Sequence, residues 1–329
     1  MSKRRLAPSI AVLSLALSAC SSAGTSSDAG VLSDAGASSA QDSGVSGTPL
    51  LGSFQVTLVV PADNVAGYTT VAGKVSDGPT PTLPVWKKSV IDGHCALLVP
   101  RNAFCTSCSG VCVDDETCEL YPTAKSVGTA TVTGLRTSAG PVQETLGPGP
   151  GDFYQLVDEL PFPAFDEGGE ISVATSGGDY PAFTVKSTGI LPLELTNDTI
   201  TVAQNQPLTL TWTKPSISGL SQIAAVLEIA HHGGVKANVT CATSDSGSLT
   251  ISASLVTQLI AKGVAGYPTV TVTRSAVGST PVGSGRVELQ VLSSVERQVT
   301  IPGVISCTED SDCPDGRTCD KDGTKTCSP

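Results

Sequence analysis

The chain alternates apolar and polar positions in short runs. Phe54, Val56, Leu58 and Val60 fall on one side of a strand, with Gln55 and Thr57 on the other. This period of two marks a half-buried strand. Similar runs predict strands at 68–75, 85–90, 96–99 and 126–135, the last with Gly134 as a bulge. Further on, 170–175, 182–186, 200–203, 208–212, 223–230, 235–241, 248–251, 269–274, 286–292 and 295–301 repeat the pattern. In 208–212, Leu208, Leu210 and Trp212 share a face. Turn residues such as Asp77-Gly78-Pro79 and Asp245-Ser246-Gly247 punctuate the runs. One segment follows helical spacing instead. Ser252 can cap 253–262, where Leu255, Leu259 and Ile260 line one face and Gly263 stops the helix. Many short strands with frequent turns predict an all-β protein built from two β-sandwich, immunoglobulin-like domains with one short helix.

Composition agrees. Charged residues are 15% and aromatics 4% of 329 residues, with Gly 34 and Pro 22. An average soluble protein has about 25% charged residues. Lys+Arg 19 against Asp+Glu 30 gives a net charge of −11, which argues against nucleic acid as a partner, since phosphate binding needs clustered Lys and Arg.

The first residues carry an address. Lys3, Arg4 and Arg5 precede a short apolar stretch from Leu6 to Ala19, too short for a bilayer span of about 20 residues and shaped as a secretory signal. It ends in Leu17-Ser18-Ala19-Cys20, which resembles the bacterial lipobox. That resemblance implies cleavage after residue 19 and a diacylglycerol, with its palmitate-length chains, on Cys20. Ser21, being other than Asp, implies sorting to the outer membrane. The partner is then the membrane itself, held by buried CH₂ groups at roughly 0.8 kcal/mol each. Removal of three basic residues would carry the charge from −11 to −14.

Residues 20–50 read as a flexible tether of Ser, Ala, Gly and Asp, too polar to offset ordering entropy. The expected organisation is therefore a signal at 1–19, the tether at 20–50, a β domain with a cysteine cluster at 51–146, a Gly-Pro linker at 147–152, a β-sandwich domain at 153–304 and a cysteine-rich tail at 305–329. Several stretches, among them Cys95-Ala96-Leu97-Leu98-Val99-Pro100-Arg101, Ile229-Ala230-His231-His232-Gly233 and Asp310-Ser311-Asp312-Cys313-Pro314, together with the lipobox and tether, resemble a group of uncharacterised lipoproteins from myxobacteria and related soil bacteria. The resemblance implies an envelope location and β architecture, and no catalytic role.

Eleven cysteines less the lipidated Cys20 leave an even ten: Cys95, Cys105, Cys108, Cys112, Cys118, Cys241, Cys307, Cys313, Cys319 and Cys327. In an exported chain these are expected as disulfides. The tail is too small for a core and calls for two internal bridges. Its resemblance to small knot-like modules implies Cys307–Cys319 and Cys313–Cys327. Five cysteines then remain in the first domain, so Cys241 is expected to bridge the two domains. The rival reading of Cys105, Cys108, Cys112 and Cys118 as a zinc or iron–sulfur site gives way to the oxidising compartment.

Catalytic signals are few. No G-x-S-x-G elbow, P-loop, H-E-x-x-H or dinucleotide fingerprint occurs, and no cofactor is expected. His231-His232 invites a metal or general-base reading, but adjacent strand residues face opposite ways and no carboxylate sits at ligand-like spacing, so a strand end entering a turn is preferred. The only Met is Met1, which disfavours copper handling. Asp310, Asp312 and Asp315 are one residue off an EF-hand start and form the calcium candidate, solvated loop charge being the default. Trp86 and Trp212 are the candidate sugar platforms, with Trp212 placed in the core by its leucine neighbours. Asp166, Glu167, Glu170 and Glu228 are the acids a glycan hydrolase would need to bring together across one cleft. The sequence thus reads as a non-catalytic, lipid-anchored envelope protein with a structural role or one of binding an envelope protein or glycan. The alternatives are a carbohydrate-binding surface module and, behind it, a glycan hydrolase.

Overall fold

The computed structural model describes residues 47–61 and 65–328. The signal, the lipobox with Cys20 and most of the tether lie outside the described residues.

The fold is all-β with one short helix. Its strands are β1 (Leu50–Val59), β2 (Tyr68–Val75), β3 (Trp86–Asp92), β4 (Cys95–Pro100), β5 (Val111–Asp114), β6 (Thr117–Glu119), β7 (Ala130–Thr137), β8 (Gly140–Leu146) and β9 (Phe153–Gln155). They continue as β10 (Glu170–Thr175), β11 (Thr184–Thr188), β12 (Leu208–Thr211), β13 (Gln222–Glu228), β14 (Asn238–Ser244) and β15 (Ser248–Ile251). The helix α1 (Ala253–Ile260) follows, then the long strands β16 (Thr269–Val282) and β17 (Gly285–Gln298). Ser252 caps α1 by accepting the Leu255 amide. Gly134 has φ +87°, and the β7–β8 register slips between Val132 and Leu135, so the expected bulge is present. Residues 200–203 form no strand; Thr201 makes one isolated parallel bridge to Thr300.

Nine strands form one sheet in the order β3-β4-β14-β13-β16-β17-β1-β2-β9. Among the described strands only β1 and β17 pair in parallel. A four-stranded sheet, β11-β10-β7-β8, covers one half of it, and the pair β12-β15 with α1 covers the other. Two cores result. The first holds Phe54, Val56, Val71, Val132, Tyr154, Val173, Leu289 and Val291. The second holds Leu97, Leu210, Trp212, Ile223, Leu227, Val239, Leu255, Val272 and Val295.

The expected division at 147–152 is not where these cores separate. The β3–β4 hairpin comes from the first third of the chain yet extends the second core's sheet edge beyond β14. β7 to β11 straddle the Gly-Pro segment and all serve the first core. The physical reason is the length of β16 and β17. Their fourteen residues each present one continuous face, so that Val270 and Val272 enter the second core and Ala276 and Val282 the first. A single hairpin is the floor of both.

Between the cores this face turns polar. Arg274 on β16 lies opposite Ser293 on β17, and both are fully buried. The Arg274 Nε donates to Asp245 Oδ2 at 2.5 Å, and one terminal nitrogen donates to Asp245 Oδ1 at 3.1 Å and to the Thr213 carbonyl at 2.6 Å. The other donates to the carbonyls of Leu191 and Pro192 at 3.1 and 3.0 Å. All five guanidinium hydrogens are thereby used. Asp245 also accepts from Trp212 Nε1 at 2.6 Å and Ser221 Oγ at 2.7 Å. Ser293 Oγ accepts the Leu193 amide at 2.9 Å. Residues 191–193 are where the chain passes from one core to the other, so this cluster pins the crossing.

Candidate functional site

The ten cysteines form five disulfides: Cys95–Cys241, Cys105–Cys112, Cys108–Cys118, Cys307–Cys319 and Cys313–Cys327. The tail bridges join the cysteines that knot-like modules pair. Cys95–Cys241 links the two ends of the expected partition, but it does not bridge separate bodies. Its residues are directly opposed on β4 and β14 and lie within the second core. Among the described residues, the two cysteine triads close enough to share an ion, Cys105/Cys108/Cys118 and Cys307/Cys313/Cys327, have their sulfurs in disulfides.

The interleaved pair Cys105–Cys112 and Cys108–Cys118 staples a finger made of the β5–β6 hairpin and the loop before it. Of its apolar residues only Val111 is buried. Phe104, Leu120 and Tyr121 are 77%, 63% and 56% exposed, far more than core residues of their size. Asp114, Asp115 and Glu116 occupy the hairpin tip, and Arg101 at the finger's base pairs with Asp114 and, at 3.3 Å, with Asp115. A segment without a core of its own is thus held rigid while showing three large apolar groups to solvent.

A second surface feature is a groove of about 400 Å³ between the β3–β4 turn and the β14–β15 turn. Asp92 and His94 line one wall, and Thr243, Ser244, Ser248 and Thr250 the other. No Trp, Tyr or Phe lines it. Trp212 is inside the protein, as its leucine neighbours require, and Trp86 is half-buried at the start of β3.

The four candidate acids have separate partners. Asp166 pairs with Arg136, and Glu167 accepts the Ile217 amide at 3.1 Å. Glu170 pairs with Lys186 at 2.9 Å, and Glu228 stands beside His231. None of them lines the groove.

The calcium candidates are spent on local turns. Asp312 accepts the amides of Thr308 and Glu309 and the Thr308 hydroxyl, which hold its carboxyl below the usual range. Asp310 accepts the Cys319 amide at 2.8 Å and faces Lys321 at 3.7 Å. Asp315 sits in a tight turn with φ +58°. The knot repeats the device at Asp320, whose carboxyl is lowered by the Thr324 amide and hydroxyl and by the Gly323 amide.

The histidine pair follows the end of β13 into a turn, as expected. His232 has φ +58°, which reverses the chain and removes the alternation of a strand. The two rings lie together, centroids 4.0 Å apart, and Glu228 supplies the carboxylate that inspection of strand spacing missed, 3.5 Å from His231 Nδ1.

No protein-family model matches the chain, and no curated protein matches it. Among solved structures it is similar to a tetra-tandem repeat in the extending region of a large adhesion protein, with 16% identity and a TM-score of 0.18, covering 74% of each chain. It is also similar to the FN1–FN3 domains of chicken CNTN1, with 10% identity and a TM-score of 0.18, covering 68% of this chain and 71% of that one. At such scores neither bears on function. What the fold and its five bridges define is a class: an all-β, disulfide-stapled, extracytoplasmic protein.

Proposed function

We propose that this is a lipid-anchored protein of the outer membrane, with a non-catalytic structural or binding role performed by the stapled finger. The observation that carries the binding role is the finger: two disulfides brace a segment that shows Phe104, Leu120 and Tyr121 to solvent and carries acidic residues at its hairpin tip. Rigid apolar groups reduce the ordering cost of docking, and a partner with an apolar pocket and a basic rim fits them. The anchor is supported by the sequence at Leu17–Cys20 and by cysteine pairing. The ten cysteines from Cys95 onward take one another as partners, the even set expected of an exported chain whose Cys20 is lipidated.

Fractionation of cells carrying the wild type and Cys20→Ala tests the anchor. The variant is expected in the soluble fraction, and unchanged membrane association refutes the lipid. Crosslinking in intact envelopes tests the finger. Combined Phe104→Ser and Tyr121→Ser substitutions should abolish a discrete crosslinked species while leaving the thermal midpoint in place; the same species at the same yield in the variant would remove the finger from the proposal.

A further inference from the structure

We infer that the free edge of β15, in the groove beside the β3–β4 turn, is a docking site for a short extended peptide carrying a basic side chain, independent of the finger and of the anchor. β14 ends at Ser244 and β15 begins at Ser248, the short connection of a hairpin, yet the two strands do not pair. β14 is already bonded on both sides, to β4 and to β13, and β15 pairs with β12. The turn between them helps them part, because the Asp245 carboxylate is drawn inward onto Arg274 and Trp212. One edge of β15 is left without a neighbouring strand among the described residues. The ladder with β12 shows which groups lie on that edge. The Trp212 amide donates to the Gly247 carbonyl at 3.1 Å, whereas the Thr211 carbonyl accepts the Thr196 amide at 2.9 Å on the far side of β12. Alternation then makes Leu210 and Leu249 the next bonded pair and leaves Thr211–Ser248 and Thr209–Thr250 as the non-bonded ones. The N–H and C=O groups of Ser248 and Thr250 accordingly point away from β12, to the free edge.

The groove suits a strand. Ser248 and Thr250 lie along one wall, and Asp92 and His94 along the other. The Ala242 amide donates to the His94 carbonyl at 3.0 Å, and Cys95–Cys241 locks β4 to β14 beside it, so the far wall is in place before anything binds. A strand residue fills about 160 Å³, given spacings of about 3.3, 4.8 and 10 Å along, across and through a sheet. The groove, at about 400 Å³, takes two or three. β15 is itself only four residues long, between its turn and α1, so the occupant is short. The Ser246 hydroxyl donates to the Ser248 carbonyl at 3.3 Å and leaves that oxygen a second lone pair. Charge chooses the occupant's side chain. The Asp92 carboxylate has no partner among the described residues, no Lys or Arg lines the groove, and the net charge of the chain is −11. A Lys or Arg on the incoming strand supplies the missing counter-ion, and the backbone ladder supplies the affinity.

Fluorescence anisotropy of a labelled Thr-Lys-Thr-Lys-Thr peptide, added to the full chain in detergent with its disulfides intact, tests this. A Kd on the order of 100 µM is expected from about four edge hydrogen bonds. Methylation of the peptide's backbone amides keeps its charge and should weaken binding at least about tenfold. Asp92→Asn should weaken it about threefold. Thr250→Pro removes an edge N–H and no backbone bond to β12, and should weaken it about tenfold. Amide exchange gives a readout that needs no variant: Ser248 and Thr250 should gain protection with the peptide and none with its methylated form. Absence of binding at millimolar peptide overturns the site, as does equal binding of the methylated form. Cellobiose should leave the same amides unchanged; protection by the sugar and none by the peptide would make the groove a glycan site and overturn the proposal. The Phe104→Ser/Tyr121→Ser variant should bind the peptide as the wild type does, which separates this test from that of the finger.

Discussion

The guanidinium of Arg274 is wholly enclosed and still finds an acceptor for each of its five hydrogens. Burial of a charge is tolerable only with such complete pairing. Removal of one partner leaves the other charged and enclosed, so Asp245→Asn should cost about 3–5 kcal/mol. A urea titration reads this as a lower midpoint with an unchanged slope, and a midpoint within error of wild type would mean the pair is not what joins the cores. Arg274→Lys should do little better, because an ammonium cannot reach acceptors on both sides of the fork. At the surface, Asp312 and Asp320 behave differently. Their carboxyls are depressed by backbone and hydroxyl donors of their own turns. A depressed carboxyl contributes stability that is present above its unfolded value and lost as pH falls through the folded one. The tail should therefore keep its turns at neutral pH and loosen in acid. Amide exchange at Thr308, Glu309 and Thr324 reports it: protection should drop at the titration midpoints of these carboxyls, below 3.8. Protection that is flat down to that range would show that the disulfides alone hold the turns.

Elements were legible where local pattern decides them. Phe54, Val56 and Leu58 announce β1, and Ser252 with Leu255 and Leu259 announces α1, because side-chain period and cap chemistry are properties of a few neighbouring residues. The length of β16 and β17 was not legible. Ser275, Gly278 and Pro281 interrupt the apolar rhythm, and the strand continues past them because its partners on β17 and β11 extend that far. Gly278 shows why. A Cβ there would stand 1.5 Å from the Lys186 carbonyl, so β11 can lie on β16 only over a bare backbone. Gly278→Ala should force the two apart and break the bond from Ser187 Oγ to the Ala276 carbonyl. A loss of about 2–4 kcal/mol is expected, in the range of overpacking in a tight interior. A thermal midpoint equal to wild type would contradict the close approach. The candidate sites divide the same way. Cysteine count and spacing are sequence facts, whereas the meeting of Glu228 with His231 depends on how the chain turns after β13, which composition does not encode.

For the whole molecule, the division into halves was misread because a Gly-Pro segment looks like a domain boundary wherever it occurs. Parallel pairing of β1 with β17, 236 residues apart at the Leu50–Arg286 pair, has no local signature. Two cores on one hairpin should melt together. Residues 153–304 expressed alone lack β1, β2, β7, β8 and the β3–β4 hairpin, so that fragment should give no cooperative transition by circular dichroism. A sharp transition from it would restore the picture of separable domains. The shared sheet also has a mechanical meaning. The segment before Leu50 enters β1, a strand bonded along its length to β17 on one side and β2 on the other. The carbonyls of Thr48 and Pro49 are clamped by Arg286 at the point of entry. A pull on the segment before Leu50 therefore loads two ladders in shear, many bonds at once, instead of unzipping an edge strand bond by bond. The entry to β1 is among the strongest places in the sheet to bear tension.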